Sequence, residues 1–450
     1  MNQFSWLSWA CMAVALVADF AHAESNTPPN IILILADDHG YGDVSLYQSN
    51  QVQTPHLKQL ATDGMLFTHM RANCTVCSPS RAAILTGCYP DRVGVPGVIR
   101  THPADSWGYF SNAFPTLPDL LKQRRYHTAA IGKWHLGLES PNLPNDRGFD
   151  HFHGFLGDMM DSYTTHLRHG QNYMRLNREP IQPSGHATEI FTDWTIDYLK
   201  QRAQIQNEPF FLYLAYNAPH FPIEPPAEWL DRIKTRSPEL SEDRAKNIAL
   251  VEHLDHNVGR ILATLDKLNL SDNTLIVYTS DNGGSLPHAQ NNDPWRDGKQ
   301  SHYDGGLKVP FVMKWPQGIK AGTVSDYQGL NFDLFPTFLE LAGAPPQLHM
   351  DAISLAPILQ GKTLATQREL YFTRREGGPK YGGKSYEAII VDGWKLMQND
   401  PYSPLELYDL NNDPNESNNQ IHIAKPKARD LSDRLRKHIQ RGGRTPWQAP

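Results

Sequence analysis

Cysteine is scarce in this chain: its 450 residues include four, at positions 11, 74, 77 and 88. So few thiols exclude a scaffold stapled by disulfides. An excess of basic charge is also missing. Lys and Arg number 42 against 48 Asp and Glu, a net charge of −6. No basic surface for nucleic acid is implied, so any anion site has to be built locally from a few Lys, Arg and His residues and a metal. Beyond the N-terminus no apolar run reaches the length of a membrane-spanning helix. Repeats and low-complexity linkers are absent too. What is there is 40% hydrophobic and 20% charged, which allows a sizeable core and argues against wholesale disorder. The length fits one large domain with an appendage.

Residues 1–23 read as a secretory signal peptide. Ala10 to Val17 is an apolar run too short to span a bilayer, and Ala21-His22-Ala23 is a small-x-small cleavage site, although no Lys or Arg precedes the run. The expectation is a protein without a membrane span, exported to the periplasm or secreted. Cys11 leaves with the peptide. If Cys77 is converted chemically, Cys74 and Cys88 form an even pair. They are either bridged in an oxidising compartment or two buried thiols.

Asn30-Ile31-Ile32-Leu33-Ile34-Leu35-Ala36 is a continuous apolar run ending at Asp37-Asp38. It reads as a strand buried on both faces, as in the middle of a parallel sheet. Similar runs span Thr128 to Gly132, Phe210 to Tyr216, Thr274 to Thr279 and Pro310 to Lys314. Helical patterns lie between them at 55–63, 116–125, 187–203, 244–268 and 331–342. The alternation predicts an α/β fold, a large mostly parallel sheet flanked by helices, over 24–345. Polar residues gather just past the strand ends, where open α/β sheets hold ligands. From 346 to 450 short strands and an Asp392-Gly393 turn predict a small C-terminal antiparallel sheet plus one helix, at about 423–440, fused tightly to the first part.

Cys77-Ser78-Pro79-Ser80-Arg81 leads into Ala82-Ala83-Ile84-Leu85-Thr86-Gly87, which reads as a short helix. A cysteine at a helix N-terminus beside an arginine sits where an anion or thiolate is favoured. A thiol packed near a turn is the plainer alternative. C-x-P-S-R followed by A-x-x-x-T-G resembles the signature of the type I sulfatases, arylsulfatase-like members of the alkaline phosphatase superfamily. The resemblance implies that a formylglycine-generating maturation enzyme oxidises Cys77 to Cα-formylglycine. The hydrated aldehyde is then the nucleophile. The resemblance runs from Asn30 to a tail motif at Leu407-Tyr408-Asp409-Leu410 and Asp413-Pro414-x-Glu416, ending near Asn419.

Asp37 and Asp38 are adjacent, and neighbouring carboxylates repel unless a cation lies between them. A polar strand-to-loop corner also accounts for an isolated Asp-Asp. Asp281-Asn282 supplies two further oxygen donors after a later strand. Four hard oxygen donors without a Cys/His set point to Ca2+ or Mg2+ rather than zinc. The sulfatase resemblance implies the same metal, usually calcium, held by Asp37, Asp38, Asp281, Asn282 and the oxygen formed at Cys77.

Gly132-Lys133-Trp134-His135-Leu136-Gly137 matches a second sulfatase motif, which assigns Lys133 to the sulfate. His135 is assigned to the formylglycine hydroxyl, as the base that expels sulfate and restores the aldehyde. Ala218-Pro219-His220 and the segment Gly298-Lys299 to Gly306 match two more. They make His220 and Lys299 candidates for protonating the leaving oxygen. The last segment carries Asp304 where the family has Glu, and Lys308 follows where it has Arg. Arg81 is expected to hold the formylglycine hydroxyl and neutralise charge. Taken alone, a Lys-x-His pair belongs to the surface more often than to a site, and a histidine after a strand is more often structural.

Export and this chemistry point to sulfate esters of carbohydrates. Arg100, His166, Trp295 and Arg296 are candidate substrate contacts, drawn from segments outside the motifs, with ordinary loop surface as the plain alternative for each. Two other readings compete. One is a phosphonate monoester or phosphodiester hydrolase of the same superfamily. The other is a non-catalytic sulfated-glycan-binding relative, disfavoured by the intact catalytic positions.

Overall fold

The computed structural model describes residues 28–47, 49–364, 368–376, 385–400 and 402–449, so the expected signal peptide lies outside the described residues. The strands in chain order are β1 (Asn30–Ala36), β2 (Met65–Phe67), β3 (His127–Lys133), β4 (His151–Phe155), β5 (Leu167–Arg168), β6 (Gln171–Asn172), β7 (Met174–Leu176) and β8 (Glu179–Pro180). They continue with β9 (Phe210–Ala215), β10 (Thr274–Ser280), β11 (Phe311–Lys314), β12 (Thr323–Ser325), β13 (Leu370–Arg375), β14 (Ser385–Val391), β15 (Trp394–Gln398) and β16 (Glu406–Asp409). The helices are α1 (Pro55–Thr62), α2 (Cys77–Thr86), α3 (Leu117–Lys122), α4 (Ala187–Arg202), α5 (Ala227–Arg236), α6 (Glu242–Lys267), α7 (Asp304–Leu307), α8 (Leu334–Leu341), α9 (Ala356–Leu359) and α10 (Lys425–Gly442).

Alternate residues of β1 feed two different cores. Ile31, Leu33 and Leu35 pack with α2, α3 and α8; Ile32, Ile34 and Ala36 pack with α1, α4 and α6. β9 and β10 divide in the same way. A strand covered on both faces has no polar face, which is why β1 is a continuous apolar run. Each fully buried Ile or Leu contributes about 1.5–3 kcal/mol. The sheet they anchor has ten strands in the order β12-β2-β11-β10-β1-β9-β3-β4-β7-β8. Its centre, from β10 to β4, is parallel, and antiparallel pairs flank it on both sides. The large mostly parallel sheet with flanking helices is therefore as expected. Unforeseen were β2, β4, β7, β8 and β12, which are short or lie toward the edges, and α5, whose single buried residue is Ile233.

A second sheet, β13-β14-β15-β16, is antiparallel throughout. Asp392 and Gly393 both adopt positive φ, 50° and 77°, as the tight turn between β14 and β15 requires. The apolar cluster beneath this sheet also takes in Ala83, Tyr89, Tyr303, Leu307, Leu330 and Phe332 from the first part of the chain. The cysteines left open by the sequence are free, buried thiols. Cys74 donates to the Thr373 carbonyl at 3.2 Å and Cys88 to the His349 carbonyl at 3.4 Å.

Candidate active site

Parallel neighbours end at the same edge of a sheet, and here β10, β1, β9 and β3 lie side by side. Asp37 and Asp38 follow β1, Asp281 and Asn282 follow β10, Lys133 closes β3 and His220 lies in the loop after β9. Residues far apart in the chain thus meet by strand order alone. Gly132 has φ 99°, and a Cβ there would come within 2.0 Å of the Ala215 carbonyl oxygen, so the step before Lys133 needs glycine.

Cys77 enters from above as the first residue of α2. Pro79 is tolerated in that first turn, where amide hydrogens have no helical partner anyway. The Ser80 hydroxyl accepts from the Cys74 amide and donates to its carbonyl, both at 3.1 Å, which fixes the loop leading into the helix. Gly87 ends it in the left-handed region, φ 66°. All ten residues of α2 are buried.

The side chains form a closed set of contacts. The Cys77 thiol lies 3.3 Å from Asp37 Oδ1, 3.9 Å from Asp38 Oδ1 and 3.8 Å from Lys299 Nζ. Lys133 Nζ donates to Asp37 Oδ2 at 2.5 Å, and Lys299 Nζ to Asp38 Oδ2 at 2.7 Å. His220 Nε2 is 3.5 Å from that same Asp38 oxygen. Arg81 donates from Nε and Nη2 to Asp281 Oδ2 at 3.0 and 2.8 Å, and from Nη1 to the Lys133 carbonyl at 3.2 Å. His135 is buried with neither ring nitrogen hydrogen-bonded. Asp38 and His135 hold φ 64° and 61°, conformations that cost energy and persist where the surroundings enforce them.

Burial alone would raise Asp37, but Lys133, His220, Arg81 and Lys299 together hold it well below the usual carboxylate range. Asp281 is pushed up to about 7 by burial and by Asp37. Burial and Lys133 hold His135 well below its ordinary value, and burial and Lys299 bring His220 to about 4. Cys77 corrects the sequence reading. Burial raises the thiol well above its usual value, and Asp281 and Asp37 push the same way. Burial is the largest cause, Lys133 and Lys299 oppose it, and Arg81 forks onto Asp281. An unmodified thiolate is disfavoured at this position.

The donor set suits a hard divalent cation. Oxygen or sulfur atoms of Asp37, Asp38 and Cys77 lie within 4.8 Å of one another and of a His220 nitrogen. Asn282 donates its amide to Asp38 Oδ1 at 2.7 Å, while its own Oδ1 is buried without a hydrogen-bond partner. A buried carbonyl oxygen left over beside three carboxylates fits a cation ligand.

The four substrate candidates are placed differently from the cradle residues. Arg100 pairs with Glu376 at 3.1 Å and donates to the Asp105 carbonyl at 2.9 Å, while its neighbour Ile99 is bonded to Ser78 Oγ. His166 is buried and donates to the Gly185 carbonyl at 3.0 Å. Trp295 packs edge-on to Tyr41 and carries Lys308 Nζ 3.4 Å over its ring. Arg296 reaches the Glu416 carbonyl at 2.5 Å and stacks on Tyr303. Arg296 also lies in the loop that carries Lys299, and Asp304 anchors the end of that loop. Asp304 receives the Arg71 fork at 3.0 and 2.6 Å and Lys395 Nζ at 2.7 Å. The sequence reading passed over Phe221, which stacks on His220, and His288, which stacks on Phe221. Phe221 is next to a motif histidine and His288 follows the Asp281-Asn282 motif closely, the one signal that could have drawn attention to them.

Cations and carboxylates packed round a nucleophile position, at the C-terminal edge of a doubly covered sheet, define a hydrolase of the alkaline phosphatase superfamily. The family described as Sulfatase matches residues 29–344, and N-sulphoglucosamine sulphohydrolase, C-terminal, matches 294–444. The chain belongs to the sulfatase family and is a sulfuric ester hydrolase. It is 34% identical over 388 residues to N-acetylgalactosamine-6-sulfatase of Canis lupus familiaris, covering 81% of this chain and 72% of that one. Among solved structures, Ps i-CgsB in complex with k-i-k-neocarrahexaose is similar at a TM-score of 0.85 and 30% identity, covering 94% of this chain and 95% of that one. BT4656 in complex with D-glucosamine-2-N,6-O-disulfate is similar at a TM-score of 0.74 and 26% identity, covering 92% and 98%.

Proposed function

We propose that this sulfatase is exported to the periplasm or secreted and removes sulfate from a sulfated carbohydrate. In this reading a maturation enzyme has converted Cys77 to Cα-formylglycine, and Ca2+, or Mg2+, is held by Asp37, Asp38, Asp281, Asn282 and residue 77. The carbohydrate is supported by the relatives, whose names and ligands are N-acetylgalactosamine 6-sulfate chemistry, a neocarrahexaose and a sulfated glucosamine. Among the described residues no helix is long and apolar enough to cross a membrane. The first part of the chain, to about residue 345, carries the cradle, and the C-terminal part supports it.

The observation that carries the reading is the contact set around residue 77: Asp37, Asp38 and Lys299 within reach of its side chain, with His135 buried and unbonded. The cation supplies charge to orient a sulfate oxygen and to favour ionisation of the nucleophile. The formylglycine supplies a hydrated aldehyde as nucleophile and an internal route for release of sulfate. The chain's own residues do the rest. Lys133 and Lys299 hold sulfate oxygens. Lys299 and His220 stand on the leaving-group side; Lys299 carries the proton for the departing oxygen, and His220, whose Nδ1–H is given to the Phe221 carbonyl, faces the cradle with Nε2. His135 has a free nitrogen with which to accept the proton from the second hydroxyl. Arg81, locked by Asp281 and the Lys133 carbonyl, neutralises charge and fixes the floor. These groups are set before substrate arrives, so they stabilise charge developing on sulfate without reorganising.

The test is sulfate release from a panel of sulfated oligosaccharides, run beside an aryl sulfate and a bis-aryl phosphate. Mass spectrometry of the peptide holding residue 77 should show a loss of about 18 Da on conversion of thiol to aldehyde. Faster turnover of the phosphate diester than of every sulfate would reverse the assignment.

A further inference from the structure

The cradle is closed on most sides, so the alcohol part of a substrate must lie where the cradle meets solvent. Lys299 and His220 have the largest side-chain exposure in the catalytic set, 9% and 7%. The opening is therefore on their side. Beyond them stand two half-buried rings. His220 stacks on Phe221 at 4.3 Å between centroids and 24° between planes, and Phe221 stacks on His288 at 4.1 Å and 8°. Two rings nearly parallel to a third at this spacing lie on its opposite faces. Phe221 is the middle layer, and His288 is the outer end. Lys299 Nζ lies 5.8 Å from the Phe221 centroid, which brings the stack alongside the sulfate-holding cation.

The stack is built and braced. His220 Nδ1 donates to the Phe221 carbonyl at 2.6 Å. The Gln290 amide donates to the Pro219 carbonyl at 3.0 Å, joining the His220 loop to the His288 loop, and its oxygen accepts from the Ser285 amide. His288 Nδ1 lies 2.8 Å from Ser285 Oγ. That bond fixes the ring, and Nε2 has no protein hydrogen-bond partner among the described residues.

We propose that this stack is the wall of the subsite for the sugar ring that bears the sulfate ester, and that His288 Nε2 hydrogen-bonds a hydroxyl of that ring. The proposal rests on the reading of the cradle as the sulfate site. A hydroxyl suits either tautomer of His288. It donates if Nδ1 carries the proton toward Ser285, and accepts if Nε2 carries it. Burial lowers His288 from its ordinary value. The imidazole is then neutral at neutral pH, which favours a hydroxyl over a second sulfate as its partner. The edge of Phe221 supplies apolar surface for the ring's C–H groups. His288 is a specificity residue, not a catalytic one.

The experiment measures kcat/KM for wild type, His288→Ala and His288→Gln on 4-nitrophenyl sulfate, N-acetylgalactosamine 6-sulfate and a sulfated neocarrahexaose. Expected for His288→Ala is a loss on the accepted sugar about tenfold larger than on the aryl ester, carried by KM. His288→Gln, which keeps a hydrogen-bonding group near Nε2, should recover part of it. Equal losses on sugar and aryl ester would mean that the ring only steadies His220 through Phe221, and would overturn the inference alone. A wild-type enzyme that releases sulfate from the aryl ester and from no sugar would overturn the carbohydrate reading and the inference with it. A wild type inactive on every sulfate, with residue 77 shown by mass to be converted, would overturn the proposed function itself.

Discussion

Lys395→Met should destabilise the enzyme strongly, although residue 395 lies in the C-terminal sheet. Its side chain is fully buried, with Nζ 2.7 Å from both Asp304 Oδ1 and Glu416 Oε1. Asp304 keeps a second partner in Arg71, at 2.6 Å. Glu416 has no other ion pair among the described residues; its Oε2 accepts from the Asp304 amide at 2.6 Å. Lys308 stands 4.0 Å from Asp304, but burial and Arg71 bring it down to about 7, so it is a weak substitute. Removing Lys395 therefore leaves Glu416 as a buried carboxylate that must take up a proton or stay unpaired. Breaking one side of a buried pair costs about 3–5 kcal/mol. That is a large part of a typical 5–15 kcal/mol total, and for a chain of this length, at about 1 °C per kcal/mol, corresponds to a fall in melting temperature of roughly 3–6 °C. The assay is thermal unfolding by circular dichroism of Lys395→Met, Glu416→Gln and the double variant. The double variant should recover part of the loss, because the stranded carboxylate is gone. Activity should fall with stability, since Asp304 ends the loop that carries Lys299. A shift under about 2 °C in Lys395→Met, or strict additivity in the double variant, would refute the reasoning.

Cys77→Ser should fold with a melting temperature close to wild type and release no sulfate; full activity would end the formylglycine mechanism. Exhaustive chelation should lower both activity and melting temperature, with Ca2+ or Mg2+ restoring them, because three carboxylates share one pocket. If neither changes and elemental analysis finds no metal, the ligand set is wrong. Lys299→Ala should lose more on a sulfated sugar than on 4-nitrophenyl sulfate, by at least about tenfold, since a good leaving group hardly needs a proton. Equal losses would leave Lys299 as a sulfate-binding group and not the proton donor.

The sequence was clearest where one stretch of chain carries its own explanation. β1 is readable because both its faces are covered, and α2 because Pro79, Ser80 and Gly87 each serve a local need. The cradle residues sit inside contiguous motifs, so strand order could gather them without being known in advance. Electrostatics was less legible. Cys77 is raised first by burial and then by Asp281 and Asp37, against Lys133 and Lys299, all remote in the chain, so the helix end and Arg81 alone could not indicate the outcome. Substrate contacts were the least legible, because residue type alone does not mark them. Arg100 and Arg296 serve carboxylates and carbonyls of the scaffold, since a guanidinium suits such oxygens as well as it suits a ligand's. The Phe221–His288 stack joins two loops whose proximity no local pattern encodes.

The burial of α2 has a consequence in time. The helix and the loop leading into it are covered partly by residues that are synthesised much later: Ala83 shares a cluster with the C-terminal strands, and Cys74 donates to the Thr373 carbonyl, 299 residues further on. At 5–20 residues per second that stretch takes about 15–60 s to make. Through that interval the segment around residue 77 lacks the strand that will shield it. The proposed conversion of Cys77 needs contact with a second protein, which a helix with all ten residues buried does not offer. If Cys77 is converted as proposed, the order of synthesis leaves a period in which its segment is accessible, and docking of the C-terminal sheet would end it.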